Sequence, residues 1–217
     1  GFQATRNCSL MVASSMLGEI ILLTGEVEAP HLGDLLLTFN PALRIVHALT
    51  AKQLAEACVH PLPDGQARRL IAFCTPVIVP SKILYELGGP AYNFHPGPPE
   101  YPGTHPASFA IYDGATRYGV TVHEMAALVD TGPIVAVKRF DILPAMRFAD
   151  LEMHAYKALV TAFSNLAKRL ATDAKPLSHS GKEWSGTRST KKLFEHMRHV
   201  TEDMDEEEIK RRFRAFG

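Results

Sequence analysis

Apolar residues along the chain recur with two periods, and the places where the period changes mark the elements. Glu19 to Thr24, Leu43 to Leu49 and Arg69 to Phe73 are short β-rich apolar runs that read as strands. Thr50 to Cys58 lies between the second and third and reads as a helix opened by a Thr cap. This alternation predicts parallel βα units of a doubly wound α/β domain. Pro90 to His95 reads as a strand that runs into a loop, because Pro96, Pro98, Pro99 and Pro102 exclude regular structure beyond it. Thr104 to Asp113 reads as a short helix, with Pro106 near its first turn and Gly114 past its end. Tyr118 to Met125 and Pro133 to Phe140 carry the β-branched alternation of two further strands.

Beyond Asp141 the period becomes helical. Leu151, Ala155, Ala158, Leu159, Ala162, Phe163, Leu166 and Leu170 form one apolar stripe, as expected of a helix packed on a sheet. Ala174 to Thr187 is a polar connector, and Arg188 to His199 and Asp203 to Phe216 read as two terminal helices. Asp203 and Glu206 have capping-box spacing. The pairs Glu206/Lys210, Glu207/Arg211 and Glu208/Arg212 make the charge run read as a solvated helix face. The pattern therefore divides into a main domain over 1–172 and a connector with a helical tail over 173–217.

A length of 217 residues suffices for one core with a small appendage. Lys and Arg total 23, as do Asp and Glu, so the zero net charge offers no electrostatic footprint for nucleic acid or an anionic membrane. Cys8, Cys58 and Cys74 are scattered without CxxC spacing, which argues against a disulfide framework or zinc ribbon and favours a reducing cytoplasm. The apolar run Ser9 to Thr24 is interrupted by Ser14, Ser15, Gly18 and Glu19 and is too short to span a bilayer. Arg6 followed by Cys8 to Leu17 imitates a signal peptide without its cleavage pattern, so a core element is expected there. The initial Gly reads as a trimmed or tagged start.

Candidate chemistry is concentrated in two segments, Asn93-Phe-His95-Pro96 and Asp130-Thr-Gly132-Pro-Ile134. Asn93 and His95 stand at i and i+2, so on a strand both project from one face. Catalytic groups of open α/β sheets gather at the carboxyl ends of strands, which is the position of His95. Taken singly, an Asn at a strand end or an Asp-Thr-Gly is commonly a turn. Together, an amide, an imidazole and a carboxylate are the parts needed to move an acyl group onto an amine. The Asn93 amide or an imidazolium would stabilise the oxyanion of a tetrahedral intermediate, where losing one donor costs about 3 to 4 kcal/mol. His95 would relay a proton from the amine to the leaving nitrogen, and Asp130 would orient it and favour its charged form.

The stretch Asn93-x-His95-Pro96, Gly103-x-x-Pro106-x-x-x-Ala110-Ile111, Gly119-Val120-Thr121 and Leu128-Val-Asp130-Thr-Gly132-Pro-Ile134 resembles the 10-formyltetrahydrofolate-dependent formyltransferase family. The resemblance implies a Rossmann-like, doubly wound and mostly parallel sheet with a C-terminal helical extension, and 1–172 as the catalytic domain. It implies Asn93, His95 and Asp130 as a catalytic triad, 10-formyltetrahydrofolate as cosubstrate without a metal, a small-molecule amine as acceptor, and a homodimer. Phe73 to Pro80 resembles the loop that lines the family's folate pocket. Thr75, Pro76, Val77 and Ile78, with Leu128 and Val129, would form the apolar slot for a pterin.

Departures fall on the acceptor side. The loop Gly97-Pro-Pro-Glu-Tyr-Pro-Gly103 is one residue shorter than the family's usual version and has Pro102 where Arg is common. An unusual acceptor is therefore expected, met by Gly97, Glu100, Gly103 and Thr104; Glu100 would hold an ammonium group or, the more ordinary expectation, face solvent. A similar short His-Pro-Gly-Pro loop occurs in hydrogenase maturation proteins, whose second domain has no room here. The Gly-Ser-Asn phosphate loop of glycinamide ribonucleotide formyltransferases is missing from Thr24 to Pro30, and residues 1–50 match the family poorly. Trp184 to Thr190, with Arg214-Ala-Phe216, is similar to the region after the catalytic domain of amino-sugar formyltransferases, and Trp184 would anchor the tail or stack on an acceptor.

The leading expectation is formyl transfer to a nucleotide-linked amino sugar. Methionyl transfer RNA is less favoured as acceptor, because its family adds a β-barrel domain. Alternatives are hydrolysis of the same donor, which usually comes with an extra amino-terminal domain, formyl-group transfer of the hydrogenase-maturation type, and folate binding without turnover. A metal-dependent hydrolase built from His95, His105, His123 and Asp130 is not expected, since no HxH or HExxH spacing supports it.

Overall fold

The computed structural model describes residues 16–217, so the readings of Cys8 and of the run before Met16 lie outside the described residues. Six strands and seven helices succeed one another as β1 (Met16–Leu23), α1 (Glu28–Phe39), β2 (Arg44–Ala48), α2 (Ala51–Val59), β3 (Gln66–Phe73), α3 (Ser81–Glu86), β4 (Tyr92–His95), α4 (Pro106–Tyr112), β5 (Arg117–Glu124), β6 (Ile134–Asp141), α5 (Phe148–Thr172), α6 (Lys191–Arg198) and α7 (Glu206–Phe216). The strands form one sheet in the order β2-β1-β3-β4-β5-β6. Pairings β1–β2, β1–β3 and β3–β4 are parallel, whereas β5 runs antiparallel to both β4 and β6. The expected doubly wound α/β sheet is therefore present, with an antiparallel edge.

Both faces of the parallel strands are covered, which is why β1 reads as a continuous apolar run rather than an alternation. Ile20 and Leu22 pack with Leu32 and Leu36 of α1 and with Leu159 and Phe163 of α5. Ile21 and Leu23 point the other way, to Leu54 of α2 and to Ile83 and Leu84 of α3. Phe73, Phe94 and Phe163 meet with ring centroids 5.2 to 6.0 Å apart, at the junction of β3, β4 and α5. The predicted stripe on α5 is buried except at Leu166, which is half-buried.

Helices α1 and α3 carry no sequence prediction, and both lack a side-chain N-cap. Thr50 caps α2 as expected, accepting from Gln53 N. At α7 the cap is Asp205, which accepts from Glu208 N, in place of Asp203. The pairs Glu206/Lys210 and Glu208/Arg212 form at 2.6 Å, but Glu207 turns to Lys210 at 3.7 Å. Arg211 instead lies over the Tyr112 ring, 3.9 Å from its centroid. The charge run is thus only partly a solvated face: α7 docks on α4 and buries Ala215 and Phe216 in the main core.

The connector after α5 is tied down by polar groups. Buried Arg69 donates to Leu170 O at 2.7 Å and Lys175 O at 3.1 Å, and Tyr92 Oη accepts from Leu177 N at 2.7 Å. These bonds turn the chain back across the sheet towards the carboxyl end of β4. Among the described residues, no helix is long and apolar enough to cross a membrane.

Candidate active site

Strand β4 ends at His95, and its antiparallel register with β5 places Asn93 opposite His123 and His95 opposite Thr121. Asn93 and His95 project from one face, as their spacing predicts. Just past the strand, the chain is fixed from β5: Tyr118 Oη donates to Pro96 O and Thr121 Oγ1 to Gly97 O, both at 2.8 Å. A Cβ on Gly97 would stand 2.7 Å from His95 Nε2, so this position requires the smallest residue for the loop to pass the imidazole.

Asp130 reaches the same place from the loop between β5 and β6. Its backbone is left-handed, with φ of 52°, and it sits two residues before Gly132, whose missing side chain lets the loop pass against Glu124 O. Asp130 is 5% exposed, and its carboxylate accepts Gly103 N–H on Oδ2 at 2.7 Å. His95 Nδ1 lies 3.4 Å from Oδ2, His123 Nε2 3.2 Å from Oδ1, and Asn93 Nδ2 3.4 Å from Oδ1. The three sequence-predicted residues thus converge on one carboxylate, and His123 joins them.

Burial, opposed by the Asp130 charge, holds the His95 imidazole below its ordinary value. Burial alone would raise Asp130, but the His123 hydrogen bond, the imidazole of His95 and the Gly103 N–H outweigh it and keep the carboxyl below its usual range. These two directions do not match, since a neutral His95 cannot be the charge that holds Asp130 down. The low Asp130 is the direction we stand behind, because the His123 hydrogen bond and the directed Gly103 N–H favour the carboxylate whatever the state of His95.

A cavity of about 700 Å³ opens beside this cluster. Asn93, His95, His123 and Asp130 stand on its wall with Thr75, Pro76, Val77, Ile78, Leu128 and Val129, and Gly103, Thr104, Arg188 and Lys191 also line it. Among the described residues, the only non-glycine positions with left-handed backbone are Cys74, His105 and Asp130, and all three line this cavity. Strained backbone of this kind persists where the surroundings over-determine it and clusters at functional sites. Burial pushes the Cys74 thiol up to about 12, which leaves it an inert wall residue.

The acceptor-side candidates separate. Gly103 and Thr104 line the cavity, whereas Gly97 and Glu100 do not. Glu100 is held in a two-pronged pair with Arg139, at 2.6 and 3.1 Å. His105 faces Phe194 in a stack at 3.7 Å instead of joining the other histidines, and among the described residues no cluster of three or more His, Cys, Asp or Glu has metal-holding geometry.

The connector completes the far side. Ser189 N donates to Pro102 O at 3.0 Å, Ser185 N to Pro99 O at 3.0 Å, and Thr104 N to Ser189 O at 3.3 Å, so the short loop is zipped to residues 185–189. Trp184 donates its indole N–H to Gly132 O at 2.9 Å. Its ring meets His123 at 4.9 Å and His95 at 5.7 Å between centroids. Of the two expected roles for Trp184, tail anchor is the one this geometry has. His123 entered the sequence reading only as a metal ligand. Its signal was the Gly119-Val-Thr-Val-His123 strand, which an antiparallel register with Asn93 brings alongside.

A family model described as formyl transferase matches residues 44–164. The chain belongs to that family. The methionyl-tRNA formyltransferase of Thermotoga maritima is 28% identical over 129 residues, covering 58% of this chain and 40% of the relative. That of Borrelia turicatae is 35% identical over 81 residues, 35% of this chain and 26% of the relative. The chain thus spans less than half the length of the curated relatives it matches. A sugar N-formyltransferase from a Shewanella species superposes with a TM-score of 0.73 at 15% identity, over 91% of this chain and 87% of that one. An N-formyltransferase from Helicobacter canadensis, solved with folinic acid and dTDP-3-aminofucose, gives 0.64 at 14% identity, over 93% and 81%. HypX from Aquifex aeolicus, solved with tetrahydrofolic acid, gives 0.63 at 23% identity, over 93% of this chain and 34% of its own. At these identities the structural likenesses establish the fold.

Proposed function

We propose that this chain transfers the formyl group of 10-formyltetrahydrofolate to a primary amine, and that the acceptor is a nucleotide-linked amino sugar. The observation that carries this reading is the convergence of Asn93, His95 and Asp130 at the end of β4, on the wall of the cavity flanked by Thr75–Ile78 and Leu128–Val129. Family membership supports the donor, as do the folate compounds bound by structural neighbours. The sugar nucleotide bound by the Helicobacter neighbour and the zero net charge of this chain favour a small acceptor over transfer RNA.

In this reading the pterin lies in the apolar slot and the formyl carbon faces the triad. Asn93 donates its amide to the formyl oxygen as that oxygen gains charge. His95 takes the amine proton and returns it to the leaving nitrogen, held in register by Asp130. Nε2 of His95 donates to Tyr101 O at 2.9 Å in the free protein, so reaching substrate means exchanging that carbonyl for the reacting group. Gly103 and Thr104 meet the acceptor; Glu100 contributes only if it leaves Arg139. Residues 1–172 form the catalytic domain, and 173–217 form a connector and tail that closes the site through Trp184 and Ser189. The free thiols Cys58 and Cys74 agree with a cytoplasmic home.

A second reading, formyl-group transfer of the HypX type, is favoured by the shortened His95-Pro-Gly-Pro98 loop. Single-turnover mixing with 10-formyltetrahydrofolate, with and without a panel of nucleotide amino sugars, tests both in wild type and His95→Ala. Acceptor-dependent consumption that His95→Ala abolishes is expected. Consumption in wild type without acceptor indicates hydrolysis, consumption with other amines but none of the sugars moves the acceptor to another class, and tight folate binding without turnover contradicts the catalytic reading.

A further inference from the structure

The cavity beside the triad is lined by two cationic side chains, Arg188 and Lys191, and by two carboxylates, Asp130 and Glu152. Asp130 is occupied by His95, His123 and Gly103 N–H. Glu152 is pushed up by burial alone, with no cation beside it. The ion pairs of the tail also leave both cations out: among the described residues they join His179 to Glu124, Glu195 to Arg198, Glu206 and Glu207 to Lys210, and Glu208 to Arg212. In a chain of zero net charge, two unpaired cations at one cavity are a local excess. Both residues are exposed, so an anion entering the cavity can reach them.

Backbone contacts hold Arg188 close to the reacting groups. Gly103 and Ser189 form a parallel bridge, Ser189 N donates to Pro102 O at 3.0 Å, and Ser189 Oγ donates to Thr104 O at 2.6 Å. Gly103 has φ of 99°, and a Cβ there would run into Ser189 O and stand 2.9 Å from Arg188 Cγ, so the stem of Arg188 lies against Gly103. The same Gly103 gives its N–H to Asp130. Lys191 follows as the first residue of α6, directly after the Thr190 cap. Both cations thus stand on the segment that is bonded to the acceptor loop, and Arg188 touches a residue that touches the catalytic carboxylate.

An anion held there is near the reacting centre, and it needs two sets of acceptor oxygens to use both cations. A guanidinium offers a planar fork to phosphate oxygens and an ammonium a point charge, a combination that suits a pyrophosphate. The donor also has carboxylates, but on a glutamyl tail beyond its aminobenzoyl ring, far from the formyl carbon. In a sugar nucleotide only the sugar ring separates the amine from the phosphate. We infer, resting on the formyl-transfer reading, that Arg188 and Lys191 form the anion site of the acceptor: they hold the pyrophosphate of a sugar nucleotide and thereby set its amine before His95. The tail then selects a phosphorylated acceptor over a free amino sugar.

Titration calorimetry of the full chain with dTDP, UDP and GDP tests the site without turnover. The wild type should bind at least one of them, and inorganic pyrophosphate should displace it. Arg188→Ala and Lys191→Ala should each weaken that binding about tenfold. Folinic acid should bind both variants within about twofold of wild type, which also shows that they are folded. Arg188→Lys should lose part of the nucleotide affinity, because the charge stays and the fork goes. Lys192→Ala, at an exposed cation that does not line the cavity, should bind as the wild type does. A wild type that binds none of the three, or variants with wild-type affinity for the nucleotide, would overturn the inference. So would variants that lose folinic acid instead, which would give the cations to the glutamyl carboxylates of the donor.

With a nucleotide amino sugar that accepts formyl, Arg188→Ala and Lys191→Ala should raise acceptor KM about tenfold and leave kcat and donor KM within about twofold, as expected when binding common to ground and transition states is removed. Formyl transfer to free amino sugars as efficient as to their nucleotide forms would refute the anion site and leave the transferase reading intact. Nucleoside diphosphate bound through both cations, with no formamide from any acceptor, would uphold the site and refute the transferase reading.

Discussion

Replacing Asp130 by Asn changes no volume and removes one charge from a buried site in which both carboxylate oxygens already have partners. Oδ2 accepts Gly103 N–H at 2.7 Å and lies 3.4 Å from His95, and Oδ1 faces His123 at 3.2 Å. An amide has one oxygen for these donors, so its NH2 must point at another buried donor. Charge-assisted hydrogen bonds contribute about 1.5 to 3 kcal/mol each, and breaking a buried pair costs about 3 to 5 kcal/mol. A loss of about 3 kcal/mol at pH 7 is expected, read as a lower urea midpoint. The carboxyl is held below its usual range in the folded state, so its contribution is complete above its unfolded value of about 4 and is lost as pH falls through the folded value. The gap between Asp130→Asn and wild type should therefore be widest at neutral pH and close towards acid. Formyl transfer should fall by about 10⁴-fold, as happens when a buried orienting carboxylate is lost elsewhere. That is about 5 kcal/mol of barrier. A variant with the wild-type urea midpoint at pH 7, or with a deficit independent of pH, would refute this account of the cluster.

Gly132→Ala drives a methyl group into the Glu124 carbonyl, which is backbone and cannot yield, so a loss of about 1 to 3 kcal/mol in urea unfolding should accompany reduced turnover through displacement of Asp130. Unchanged stability would show that the loop has room. Glu100→Gln removes a partly exposed pair with Arg139 and should change stability by less than about 1 kcal/mol and acceptor KM little; a tenfold rise in acceptor KM would mean that Glu100 leaves Arg139 to bind substrate. Phe163→Ala empties the meeting point of β3, β4 and α5 and should cost about 3 to 5 kcal/mol, with thermal unfolding well below wild type.

Strands with both faces buried were legible because continuous apolar runs leave few alternatives, and α5 because its stripe persists for several turns. Helices α1 and α3 were not, since neither opens on a capping side chain and α3 has only six residues. The direction of β5 and β6 is absent from local pattern, because strand alternation is the same in either orientation. That orientation is also what brings His123 beside Asn93, so the second imidazole on Asp130 was hidden for the same reason. Asn93 and His95 were readable from two-residue spacing, and Asp130 from its resemblance to a known motif. Glu100 illustrates the opposite limit: its partner Arg139 lies 39 residues away, and nothing in the loop announces it.

The central claim is that a formyl group passes from folate to an amine at the Asn93, His95 and Asp130 cluster. Its most direct test is to follow a ¹³C-labelled formyl carbon from 10-formyltetrahydrofolate by NMR in the presence of nucleotide amino sugars, with wild type and His95→Ala. The account predicts a new formamide signal on one acceptor with wild type and none with His95→Ala. Label appearing as free formate whichever acceptor is present, or a formamide that forms equally well without the His95 imidazole, would contradict it.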